Sequence, residues 1–266
     1  MRTSVPKGGG RYPAVERGSP CEREPPIHLS APEFTLVALA VGVGALVQGS
    51  IGFGSNLVAV PVLALADPEA LPATLTLVVV PLVIAMAVRE HHAVDRAGVT
   101  WITIGRIPGT ALGAWVVAMV SGATLSVLLG GSVLLAVGLT AFSRPVPVNR
   151  MSTTTAGFAS GVMGTATAIG GPPMALLYQH HEGAVLRSTL ALAFAFGTAL
   201  SIAGLVAAGA IHLWHLALAA ALLPALGLGL VLSRFVVGRL EGRWLRPAVL
   251  AFAAATAVLA IVRGIA

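Results

Sequence analysis

The chain of 266 residues is 56% hydrophobic and only 10% charged, with a mean hydropathy of +0.91, whereas an ordinary soluble domain carries about a quarter charged residues. That composition excludes a soluble globular enzyme. The net charge of +6 comes from fifteen Arg and the single Lys7 against ten acids, and the bases sit in tails and loops beside apolar stretches, the pattern of membrane orientation and not of a nucleic-acid face.

Residues 1–33 hold six prolines, the run Gly8–Gly10 and the bases Arg2, Lys7, Arg11, Arg17 and Arg23, so they read as a disordered basic leader. It has no apolar core of a secretory signal peptide. Its Cys21 is the chain's one cysteine and can form no intramolecular disulfide.

Beyond the leader, a bilayer core of about 30 Å needs roughly 20 apolar residues per helix, and the chain is long enough for on the order of eight spans. Phe34–Ala66 carries no charge but is 33 residues long, with Gly42, Gly44, Gly49, Gly52 and Gly54 through its middle. Leu71–Val88, Val99–Val120 and Gly122–Phe142 follow, and the polar loop SRPVPVNRM closes this half. The second half begins with Ser152–His181, again long, uncharged and interrupted at AIGGPP, then continues with Thr189–Ala210, Leu216–Ser233 and Pro247–Val262.

In each half of four the long interrupted stretch comes first. A shift of 116 places Gly54 on Gly170, Pro108 on Pro224 and Gly113 on Gly229, which points to an internal duplication. The expected fold is an all-α polytopic membrane protein with two homologous four-segment halves, 34–142 and 152–263, each starting with a broken or re-entrant helix, as in secondary transporters. Orientation stays open. Charge favours a cytoplasmic leader, whereas inverted halves with two returning segments would put the leader outside.

Two segments carry chemistry. QGSIGFGSN (Gln48–Asn56) is a Gly-rich interruption at membrane depth, where unpaired backbone must be buried in protein or line a watery cavity. A helix starting there points free N–H groups and a positive dipole at an anion. Close helix packing through small residues is the competing explanation, but packing alone does not need Gln48, Ser50, Ser55 and Asn56 beside the glycines. GFASGVMGTATAIGGPP (Gly157–Pro173) is the facing segment, where Pro172 and Pro173 remove two donors and make a continuous helix through Gly170 and Gly171 improbable. Thr165 and Thr167 offer hydroxyls, unless these only bond back to their own helix.

QGSIGFGSNLVAVP, ending at Pro61, resembles the first-repeat signature of the TauE/SafE sulfite-exporter-like permeases, and GFASGVMGTATAIGGPP resembles the second. The similarity extends over nearly all of 34–262, including RIPGTALGAW (Arg106–Trp115), and departs at Ala168, where the second signature more often has Gly. The resemblance implies an integral membrane carrier of small anions, commonly sulfur-containing ones such as sulfite or organosulfonates.

Arg106 is the one charged residue inside a predicted span, and an Arg at helix centre costs about 2.5–3.5 kcal/mol on insertion scales. It either counters an anionic substrate or snorkels to the nearby interface; Pro108 and Gly109 after it suggest a locally opened helix. The pairs His91–His92 and His180–His181 sit at span ends and point about 100° apart on a helix, so they read as solvated interfacial residues and not as a metal site. No enzyme motif has a complete catalytic set.

The candidate substrate-binding set is therefore Gln48, Gly49, Gly52, Phe53, Gly54, Asn56, Arg106, Gly164, Thr165, Thr167, Gly170, Gly171 and Pro172. The expected protein is a multi-pass permease of the cell (inner) membrane that moves a small anion by alternating access, with an anion channel as the alternative. Its expected partners are that anion and the lipid bilayer, without nucleic acid, cofactor or metal, and with a homo-oligomer left open.

Overall fold

Two left-handed glycines within three residues divide the first apolar stretch. Helix α1 (Ala31–Ile51) begins where the Glu33 carboxylate accepts from the Ser30 N–H at 2.8 Å, and ends at Gly52, φ +105°, whose N–H donates to the Gln48 carbonyl. Phe53 follows, then Gly54 at φ +112°, and α2 (Ser55–Ala66) starts in a new direction. Glycine adopts both conformations without a Cβ penalty. The computed structural model describes residues 29–120, 123–141, 146–236, 250–256, 258, 259 and 262. The leader through residue 28, most of the Arg-rich loop after Arg234, and Arg144 and Arg263 lie outside the described residues.

After a 3-10 turn at Pro68–Ala70, α3 (Ala73–Val78) and α4 (Val80–Arg89) share the next apolar stretch, with Pro81 in the first turn of α4, where a missing N–H is tolerated. Helix α5 (Arg96–Met119) starts where the Asp95 carboxylate accepts from the Gly98 N–H at 2.9 Å. It stays helical through an exposed Pro108, so the opening expected at Pro108–Gly109 is not formed.

Next come α6 (Ala123–Ala141) and α7 (Arg150–Thr167). Helix α7 is capped at its start by Asn149 and ends on Ala168 in the left-handed region, φ +60°. Helix α8 (Gly171–Tyr178) opens with Pro172 and Pro173; α9 (Gly183–Ala207) and α10 (Leu213–Val236) follow.

Among the described residues the fold is helical throughout, and four helices, Ala31–Ile51, Arg96–Met119, Gly183–Ala207 and Leu213–Phe235, are long and apolar enough to cross a membrane. Fewer elements reach that length than the stretches suggested. The chain divides at 52–54 and 168–170, and α7 spends many of its positions on Gly, Ser and Thr.

Those small residues serve packing. Lipid tails are as apolar as leucine, so helices associate in a membrane through close backbone approach. On α5, a Cβ at Gly105 would run into the Thr154 carbonyl and one at Gly109 into the Phe158 carbonyl; on α7, a Cβ at Gly157 would strike the Ile102 carbonyl. Backbone thus lies on backbone along the α5–α7 crossing. Helices α1 and α10 meet likewise, with Gly229 against the Gly42 carbonyl.

Polar ties hold one end of this assembly. Arg89 donates from Nη2 to the Gly49 carbonyl at 2.7 Å and pairs through Nε with Glu90 at 2.9 Å, while Arg187 of α9 reaches the same carboxylate at 3.3 Å and packs on Gly52. The Tyr178 hydroxyl at the end of α8 donates to Asp95 at 2.8 Å. The turn after α1 and the end of α8 are thereby fastened to α4, α5 and α9.

Candidate anion site

Where the 52–54 and 168–170 turns face each other lies a cavity of about 50 Å³. A single water needs roughly 10–15 Å³ on this measure, so the space suits a few waters or one small oxyanion. Gln48, Gly54, Asn56 and Leu57 line it from α1 and α2, and Thr76, Val79 and Val83 from α3 and α4. Arg106 enters from α5. Gly164, Ala168, Ile169, Gly170, Gly171 and Pro172 contribute from α7 and α8, and Phe194, Thr198 and Ser201 from α9.

Arg106 is 3% exposed, and its Nε and Nη1 have no hydrogen-bond partner among the described residues. Its guanidinium is enclosed by the bundle and does not reach the lipid-facing surface, which removes snorkelling as its explanation. Two glycines make the room. A Cβ at Gly164 would stand 3.0 Å from Nη2, and one at Gly197 would collide with Cζ, Nη1 and Nε. Buried donors left unpaired cost about 1–3 kcal/mol each, more when charged, so Nε and Nη1 call for acceptors that the described residues do not supply.

The neighbouring side chains are already oriented. Gln48 Oε1 accepts from the Ser55 N–H at 3.1 Å, which fixes its amide and leaves the NH2 end as a donor. Asn56 Nδ2 donates to the Ala168 carbonyl at 2.8 Å and so ties one turn to the other. The Ser160 hydroxyl donates to the Gly170 carbonyl.

Eight members of the candidate set, Gln48, Gly54, Asn56, Arg106, Gly164, Gly170, Gly171 and Pro172, come together around the cavity; five do not. Gly49 packs on Ser233 and Gly52 on Arg187, while Phe53 lies against Gly171. Thr165 exchanges a hydrogen bond with Ser201 at 2.9 Å, and Thr167 bonds back to the Met163 carbonyl of its own helix.

The helix ends offer fewer donors than the sequence suggests. The Ser55 N–H of α2 is taken by Gln48, and α8 starts with two prolines that have none. The free donors at the cavity are therefore mainly those of Arg106 and of the Gln48 amide. The paired histidines lie apart from the cavity: His91, His92, His180 and His181 are all exposed.

Thr198, Ser201 and the close approach at Gly197 escape a reading of the sequence. Their stretch, Thr189–Ala210, looks like an ordinary apolar span. The available signal is FGTALS, which sets Gly197, Thr198 and Ser201 within one helical turn.

The glycines of the turns give a direct test. At Gly54 a leucine meets a positive φ and Val47 at 3.3 Å, and at Gly170 its Cβ presses on Ser160 at 3.0–3.1 Å and on Gly164. Positive φ costs a bulky residue about 1–3 kcal/mol. Gly54→Leu and Gly170→Leu are each expected to abolish transport while the protein still inserts, read by vesicle flux beside membrane abundance; full flux from both at normal abundance would contradict a role for the turns.

A family model described as Sulfite exporter TauE/SafE matches residues 36–260, which include every residue lining the cavity. No curated protein and no solved structure matches the chain.

Proposed function

Because the chain belongs to the sulfite exporter TauE/SafE family, we propose that it is a secondary transporter that moves sulfite, an organosulfonate or a related sulfur-containing anion by alternating access, as a multi-pass protein of the cell inner membrane. The observation that carries this reading is Arg106, buried, unpaired on two nitrogens and lining a cavity between two helix interruptions. An anion entering there meets a planar guanidinium fork. Gln48, Thr198 and Ser201 supply further donors, while Asn56 holds the two turns together.

Two homologous halves are part of the proposal. Helix α7 ends at residue 167 and α1 at 51, a separation of 116; α8 starts at 171 and α2 at 55, again 116. The packing follows the same exchange: α5 crosses α7 as α10 crosses α1. In carriers of this kind the broken segments meet near mid-membrane, and one half rocks against the other around a fixed site. Closure also removes water, which strengthens the pairing of Arg106 with the anion.

Proteoliposomes containing the purified chain test the reading. Labelled sulfite uptake should saturate and should accelerate when unlabelled sulfite is loaded inside. Unsaturable flux with a measurable conductance would replace the carrier with a channel. The absence of any anion flux would remove both.

A further inference from the structure

We propose that the cavity accepts singly charged anions and rejects doubly charged ones of the same shape. The inference rests on the reading of this cavity as the anion site. Arg106 is the one charged residue among its described lining residues, and that lining includes no Lys, His, Asp, Glu, Tyr or Cys. The remaining polar contributors, Gln48, Asn56, Thr76, Thr198 and Ser201, are neutral. One guanidinium therefore balances one negative charge.

A second charge has nothing to meet it. In a low-dielectric interior an uncompensated charge is paid for in desolvation that hydrogen bonds from neutral groups only partly offset. The apolar part of the lining adds to the discrimination. Leu57, Val79, Val83, Ile169 and Phe194 present carbon to the cavity, so a ligand held there meets apolar surface as well as Arg106, which suits a methyl group and opposes a second ionised oxygen.

Arg keeps its proton throughout the physiological range. The pH dependence of binding is then set by the ligand. Sulfite passes from hydrogensulfite to the dianion near neutrality, so its apparent affinity should fall about tenfold per pH unit above that ionisation. Methanesulfonate keeps one charge at any of these pH values, and its affinity should stay level.

The experiment compares methanesulfonate with sulfate, which has similar size and shape but two charges. Dissociation constants are measured by calorimetry on the full chain in detergent at fixed ionic strength, and sulfite is titrated from pH 6 to pH 9. Methanesulfonate should bind at least about 100-fold more tightly than sulfate, the size expected for an unpaired buried charge. Sulfate binding as well as methanesulfonate, or sulfite affinity that stays flat as its charge doubles, overturns charge selection while leaving the anion site standing. If none of the three anions binds, the site reading falls and the selectivity falls with it.

Discussion

Arg106→Gln is expected to weaken anion binding by about 10- to 100-fold, since a hydrogen bond to a charged group contributes roughly 1.5–3 kcal/mol. The loss should appear in the apparent affinity for uptake and in direct binding alike. Arg106→Lys keeps the charge but replaces a planar fork with a point donor, and should recover only part of the affinity. Stability should move the other way. A buried cation with Nε and Nη1 unpaired burdens the fold, so in the absence of anion the glutamine variant should melt no lower than the parent. Added anion should raise the melting temperature of the parent, and at the same concentration should raise that of the variant much less. Unchanged affinity in Arg106→Gln would take this residue out of the site.

The residues that make the turns were the most legible part of the chain. Gly52 and Gly54 stand where the backbone takes φ +105° and +112°, and Pro172 and Pro173 fill the first turn of α8, where prolines fit. Ala168 is instructive. The resemblance departs from glycine at that position, and the backbone there is left-handed, φ +60°, so the substitution falls where an alanine carries a local cost of about 1–2 kcal/mol. What the sequence cannot supply is which faces meet. Thr165 and Thr167 look alike in the chain, yet one bonds across to Ser201 and the other back to Met163. Burial of Arg106 was equally hidden. Its distance from the end of a span suits a snorkelling side chain, and only the packing of α5 on α7 and α9 encloses it.

That packing singles out a glycine that no motif marks. Gly197→Ala adds one methyl group on α9, and alanine is a better helix former than glycine by about 0.8–1 kcal/mol, so α9 itself should gain. The new Cβ, however, falls on Cζ, Nη1 and Nε of Arg106. The guanidinium has to leave its place, and anion affinity should drop nearly as far as in Arg106→Gln. Gly227→Ala on α10, where a Cβ meets nothing within 4 Å, is the matched control and should transport normally. The double variant decides the mechanism. If Gly197 acts only by giving Arg106 its position, then adding Gly197→Ala to Arg106→Gln should cost little more, because the two changes remove the same interaction and cannot add. Affinity losses that multiply in the double variant would mean that α9 meets the anion independently, through Thr198 and Ser201, and that the glycine shapes the cavity for them instead.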